Sequence, residues 1–174
     1  YVPWEQRKEY TQNEGAFHGD LLLDMRNFFI NAISTLPKPS SFAKKIYLRR
    51  NSNYRMIHNQ REVENFLVTK GFSIISPELL SFRDQINLFF NAEIIVGPSG
   101  AAWSNLIFTK SSAVMIILHG DGVGLNYGYW QRLANALGTS VNYVLGEVKK
   151  GKRIYNHSNF TISLDELDLA LKNV

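Results

Sequence analysis

Residues 93–105 read Glu93-Ile94-Ile95-Val96-Gly97-Pro98-Ser99-Gly100-Ala101-Ala102-Trp103-Ser104-Asn105, or EIIVGPSGAAWSN. An apolar run stops at a glycine-bracketed turn, and residues with almost no side chain follow. Residues 93–96 read as a buried strand, 97–100 as a loop, and the segment from about 100 to 108 as a short helix. Glycine permits positive φ and lets a neighbouring atom approach the backbone. A helix opening near Gly100 points free amides and the positive end of its dipole into that space. A phosphate fits there, and so does plain packing; the stretch alone leaves both open. It is not a P-loop, because no Gly-Lys-Ser/Thr follows, and it is not GxGxxG. Ser99 lacks the Gly-x-Ser-x-Gly spacing of a hydrolase nucleophile.

The pattern on both sides repeats the strand–helix theme. Upstream, 20–33 reads as a helix from Leu22, Met25, Phe29 and Ile33, and Pro37-Lys38-Pro39 breaks it. Residues 45–49 read as a strand, 61–70 as a helix closed by Gly71, and 72–75 as a strand. Residues 81–92 read as a helix with a Ser81/Asp84 capping box and a buried stripe of Phe82, Ile86, Phe89 and Phe90. Downstream come a strand at 113–118, a helix at 127–137 with Trp130, Leu133 and Leu137 inward and Gly138 as its cap, and a strand at 141–145. A last helix at 163–174 opens on a Ser163/Glu166 box. Near-continuous apolar strands alternating with helices imply an α/β fold with a doubly wound parallel sheet, Rossmann-like, whose ligands meet the carboxyl ends of the strands. Residues 1–40 are expected to form an N-terminal arm and helix, and 41–174 the sheet domain.

At 174 residues the chain is long enough for one domain with a true core. Its 45% apolar and 20% charged content excludes a disordered chain. No apolar run is long enough to span a bilayer, and no charged-then-apolar signal pattern opens the sequence. The absence of cysteine excludes disulfides and thiolate-bound metals and fits a reducing compartment. Asn156-His157-Ser158 and Asn159-Phe160-Thr161 match glycosylation triplets and are read as chance occurrences. Metal chemistry is not expected: HExxH and Asp-x-Asp are absent, and His18, His58, His119 and His157 have no ligand spacing.

Charge is distributed unevenly. Between Met25 and Arg61 there is no acidic residue, while Lys44, Lys45, Arg49, Arg50, Arg55 and Arg61 lie in that span. Arg49, Arg50 and Arg55 leave the first strand at its carboxyl end, where guanidinium forks suit a diphosphate. The run Lys149-Lys150-Gly151-Lys152-Arg153 reads as a solvated face. No nucleic-acid-binding motif occurs in the basic stretch 44–61, and aromatic residues do not interleave there as a stacking platform requires, so nucleic acid is not an expected partner. Asp121, in His119-Gly120-Asp121-Gly122, follows a strand and is placed to meet a sugar or ribose hydroxyl.

Several of these blocks, in this order, resemble glycosyltransferase family 61. They are Ile46-Tyr47-Leu48-Arg49, Arg55-x-Ile57-x-Asn59, Gly71-Phe72, Pro77-Glu78-Leu79-Leu80-Ser81, Gln85-Ile86-x-Leu88-Phe89-x-x-Ala92, and Ile95-Val96-Gly97-Pro98-Ser99-Gly100-Ala101 with Asn105-x-x-Phe108. The resemblance covers about residues 44–118. It implies one half of a GT-B architecture, the C-terminal donor-binding half, and inverting, metal-independent transfer from a nucleotide-sugar, usually UDP-linked. It implies no cofactor beyond that substrate. Arg49, Arg55, Gly97, Ser99, Gly100 and Ala101 are then expected at the donor diphosphate, supported by Asn59, Gln60, Gln85, Asn105 and Asp121. Two positions depart from the family pattern: Gln60 stands where a glutamate is expected and Ser99 where a histidine is. Asp84 stands for the glutamate of a Glu-Gln pair. A hexosyl- or pentosyltransferase of capsular or other polysaccharide biosynthesis is implied, with a non-catalytic nucleotide-sugar or glycan-binding module as the alternative. The expected partners are the donor, a glycan acceptor, an acceptor-binding N-terminal domain outside this chain, and peripherally a membrane. The expected location is the cytoplasm in a bacterium or the secretory lumen in a eukaryote.

Overall fold

The computed structural model describes residues 17–35, 42–53, 55–121, 128–148 and 158–173. Its strands are β1 (Lys45–Leu48), β2 (Ser73–Ile75), β3 (Ile94–Pro98), β4 (Val114–Gly120), β5 (Asn142–Val148) and β6 (Phe160–Thr161). They form one sheet in the order β2-β1-β3-β4-β5-β6. The first five run parallel, and β6 is antiparallel to β5. The helices are α1 (Gly19–Ser34), α2 (Gln60–Thr69), α3 (Phe82–Asn91), α4 (Gly128–Ala136) and α5 (Leu164–Lys172), with 3₁₀ segments at Pro77–Leu79 and Ala101–Phe108. The α/β expectation and its parallel pairing hold.

Strand alternation sorts the apolar residues to two faces. Ile46, Leu48, Ile95, Met115 and Ile117 face α3, α4 and the longer 3₁₀ helix through Phe89, Leu133 and Trp103. Tyr47, Val96, Ile116, Leu118 and Val144 face α2 and α5 through Val63, Leu67 and Leu167. Burying each large apolar side chain stabilises the fold by roughly 1.5–3 kcal/mol. α1 has no fully buried residue, yet Leu22, Phe29 and Ile33 pack against the first core, so this helix is part of the same body.

Local signals fall where the sequence puts them. Ser81 and Ser163 accept from the amides of Asp84 and Glu166. Gly71 and Gly138 sit at φ +84 and +71, the left-handed geometry that ends a helix. Other expectations need correction. β3 runs on through Gly97 and Pro98, which pair with Ile117 and Leu118, so the loop shrinks to Ser99-Gly100. β4 likewise includes His119 and Gly120, and β5 continues to Val148, because each has a neighbouring strand to bond there. The segment after Gly100 is 3₁₀, its ends marked by Trp103 N to Gly100 O (3.1 Å) and Thr109 N to Leu106 O (3.0 Å). Phe82, expected inside, is 53% exposed; it stands on the first turn of α3 and touches Phe29 and Phe108 edge-on. Phe90 is only half-buried, and Met25 is exposed. The arm at 1–16, the Pro37–Pro39 break, Tyr127, the basic run 149–153 and Asn156 lie outside the described residues.

Candidate functional site

The strand order reverses between β1 and β3: the chain leaves β1 for β2 on one side and returns to β3 on the other. Open α/β sheets bind ligands beyond the carboxyl ends of strands at such a point. Consecutive residues leaving β1 take opposite faces there. Arg49, in phase with Tyr47, turns to the α2 side; Arg50, in phase with Leu48, turns to the β3 side.

On the α2 side, Arg49 grips Glu64 with two bonds, Nε to Oε1 at 2.8 Å and Nη2 to Oε2 at 2.6 Å. Gln60 Nε2 donates to the same Oε1 at 2.8 Å. Glu64 lies on the inward side of α2 beside Val63 and Leu67, which is why a carboxylate at that position needs a partner. Burial pushes its carboxyl up, but the bonds from Arg49 and Gln60 and the guanidinium charge outweigh that and hold it below the usual range. Asn59 does not cap α2; its amide donates to Ile162 O (2.8 Å) and accepts from Ile162 N (3.0 Å). That clip fastens α2 to the start of α5. Together with Asn51 and Arg61, these residues line an open cleft of about 660 Å³.

On the β3 side, Arg50 Nη1 donates to Ser99 O at 2.8 Å. A Cβ on Gly100 would collide with that same Nη1. A Cβ on Gly97 would lie 2.7 Å from Leu48 Cβ and 3.1 Å from Leu48 O. Neither glycine lies in the left-handed region, and Gly100 is extended. Both are close-approach positions, and what approaches is β1 itself and the guanidinium leaving it. Ser99 is buried; its amide donates to Leu118 O (2.9 Å) and its Oγ accepts from Trp130 Nε1 (3.1 Å). Ala101 is exposed at the start of the 3₁₀ helix. Asn105 Nδ2 donates to Gln85 Oε1 at 3.0 Å, so these two expected site residues meet each other behind the turn.

At the end of β4, His119 Nδ1 donates to Gly120 O at 2.9 Å. Burial depresses the imidazole's basicity, and the nearby Arg55 charge adds to that against the Gly120 bond. Arg55 is the non-glycine residue with positive φ (54°) among those described, a conformation that surrounding structure must hold. Asp121 is exposed at the mouth, its amide bonded to Gly146 O (2.7 Å). Asn159, of the second glycosylation triplet, spends its Oδ1 on Met56 N at 2.8 Å.

The structure therefore brings Arg50, Arg55, Ser99, Gly100, His119 and Asp121 to the carboxyl ends of β1, β3 and β4, and separates Arg49, Asn59 and Gln60 into the α2 cleft. Sequence reading missed Glu64 and the polar use of Trp130. The legible signals were a carboxylate on an apolar helix stripe and an inward indole whose N–H requires an acceptor.

A model of the family described as Glycosyltransferase 61 matches residues 5–116, which is 112 of the 174 residues. The chain belongs to glycosyltransferase family 61. No curated protein matches it. The matched span of this glycosyltransferase-family chain takes in Arg49, Arg50, Arg55, Glu64 and the Ser99-Gly100 turn, and ends within β4. His119, Asp121 and Trp130 lie beyond it. No described helix is long and apolar enough to cross a membrane.

Proposed function

We propose that this chain is the nucleotide-sugar-binding half of a GT-B glycosyltransferase with a Rossmann-like wound sheet. In this reading it transfers a sugar, with inversion and without a metal, from a UDP-linked donor to a glycan acceptor in polysaccharide biosynthesis. The observation that carries the reading is the crevice where the strand order reverses, with Arg50 against the Ser99-Gly100 turn and Arg55 beside His119. An acceptor hydroxyl, relieved of its proton by a base on the acceptor-binding half, attacks the anomeric carbon. The bond from that carbon to the phosphate oxygen breaks, and the nucleoside diphosphate leaves carrying the electron pair. Guanidinium groups already fixed at the crevice stabilise that charge, each contact contributing a few kcal/mol, or about a hundredfold in rate. The Ser99 hydroxyl, whose oxygen accepts from Trp130, supplies a neutral hydrogen bond where a histidine could have supplied charge.

The second reading is a non-catalytic nucleotide-sugar or glycan-binding module. It is favoured by Glu64, which neutralises Arg49, and by uncharged Ser99 and Gln60 at positions where the family carries ionisable groups. One experiment separates the two. The protein carrying this chain is assayed for sugar transfer from a panel of UDP-sugars, with UDP binding read by thermal shift. Transfer that falls about a hundredfold in Arg50→Ala and strongly in Arg49→Ala supports the enzyme. Unchanged turnover in both variants removes the arginines from the reaction, and UDP binding without transfer from any donor supports the module.

A further inference from the structure

We propose that the α2 cleft is a subsite for a hydroxyl-rich sugar ring, separate from the crevice assigned to the diphosphate. Every side chain that lines it is polar. Small-ligand pockets of this size ordinarily have mostly apolar walls, so a hydrocarbon or a flat base finds no matching surface here. A phosphate is no better matched, because the formal charges of Arg49 and Arg61 cancel those of Glu62 and Glu64. What remains is a neutral ligand rich in donors and acceptors.

The wall is fixed before any ligand arrives. Glu64 holds Arg49 by two bonds and Gln60 by a third, and Asn59 is clipped to both backbone groups of Ile162. Those bonds do not use Nη1 of Arg49 or the Oε1 of Gln60. A guanidinium edge and an amide oxygen held side by side offer donors and an acceptor to adjacent hydroxyls, each of which both donates and accepts. Preorganisation of this kind lowers the cost of binding a ligand that hydrogen-bonds weakly in competition with water. Arg50 and Ser99 do not line the cleft, which sets it apart from the crevice. The inference deepens the transferase reading and rests on it for the source of the ring, which is either the donor sugar or a unit of the acceptor glycan.

The test is nitrogen-15 NMR of the chain titrated with UDP, with a panel of UDP-hexoses, and with the matching methyl glycosides and oligosaccharides. The Gln60 side-chain amide and the backbone amides of residues 60–62 report the cleft; Ser99 and Gly100 report the crevice. The expected result is that UDP moves only the crevice signals, whereas a UDP-hexose or an oligosaccharide moves the cleft signals. Gln60→Leu is expected to weaken that second ligand about tenfold while leaving UDP affinity unchanged. A cleft response to UDP-hexose alone identifies the donor ring; a response to oligosaccharide alone identifies the acceptor. UDP shifting the cleft as much as UDP-hexose overturns the inference, and so does UDP binding with no sugar ligand moving the cleft. Methyl glycosides that move the cleft while no UDP compound binds would uphold the subsite and overturn the transferase reading.

Discussion

At the end of β1 two adjacent arginines enter two different environments, and the contrast is instructive. Arg49 meets a side chain, Glu64, in a half-exposed cleft whose charges balance. Arg50 meets backbone, the Ser99 carbonyl, at a turn where glycine leaves just enough room for its guanidinium. The cause is strand geometry: successive side chains leave a strand on opposite faces, and the faces of this sheet are covered by different elements. The ion pair joins two side chains, whereas at the turn β3 packs on β1 through Gly97 against Leu48, and only the far end of Arg50 can give way. The two regions are therefore expected to differ in how they respond to substitution.

The largest effect is expected where backbone packs on backbone. Gly97→Val places carbon atoms where even a Cβ would be 2.7 Å from Leu48 Cβ. The strands β1 and β3 cannot separate without losing their ladder, so unfolding free energy should drop by about 3 kcal/mol. Urea unfolding monitored by circular dichroism measures it. A drop no larger than that for an exposed glycine would show that the turn region is soft and would erase the contrast. Next comes Ser99→Ala, which removes the acceptor of the buried Trp130 indole and should cost about 2 kcal/mol. Indole fluorescence of the folded state offers a second readout of the same loss.

These two positions show where sequence reading succeeded and where it stopped. The stretch 93–105 was legible as strand, turn and small-residue helix because apolar runs and glycine brackets are local signals. Ser81 and Ser163 were legible as caps for the same reason, since each needs only the amide three residues on. What Gly97 and Gly100 make room for was not legible, because Leu48 and Arg50 lie about fifty residues away and their approach depends on strand order. The Arg49–Glu64 pair was hidden likewise: the residues are fifteen apart and meet only after β1 and α2 have packed. β6 has two residues and exists through its partners on β5 and at Ile57. The belonging to family 61 followed from ordered blocks, yet the division of their residues between a crevice and a cleft required the fold.

The cleft side should respond more mildly and with a pH signature. Glu64→Gln keeps the shape and one acceptor but removes the charge facing Arg49. Because the Arg49 side chain is 40% exposed, solvent screens the pair, and the expected cost at pH 7 is only about 1 kcal/mol. The folded carboxyl lies below its unfolded value of about 4.3, so the pair's contribution is present above that pH. It is lost as pH falls through the lower, folded value. Wild type and Glu64→Gln should thus differ in denaturation midpoint near neutrality and converge in acid, once the pH lies below the folded value. A difference that grows on acidification would mean that Glu64 is held in its protonated form and that the cleft is not charge-balanced.

The smallest effect on stability is expected at the other glycine of the opening stretch, and it sharpens the comparison most. Gly100→Ala adds a methyl group that collides with Arg50 Nη1, the far end of a flexible side chain, and with no backbone atom closer than 3.9 Å. The extended conformation of Gly100 (φ 175°, ψ 177°) is open to alanine, so no strain accompanies the change. The guanidinium can swing aside into solvent at the cost of its bond to Ser99 O, a loss of roughly 0.5–1 kcal/mol. Under the proposed function this small change in stability should come with a large change in activity, because the displaced group is the one assigned to the leaving diphosphate. Thermal unfolding and sugar transfer are measured on the same preparation. Nearly unchanged unfolding with transfer reduced tenfold or more separates what Gly100 does from what Gly97 does, three residues earlier on the same strand end. Equal losses in both properties would instead make the turn a packing device on both sides.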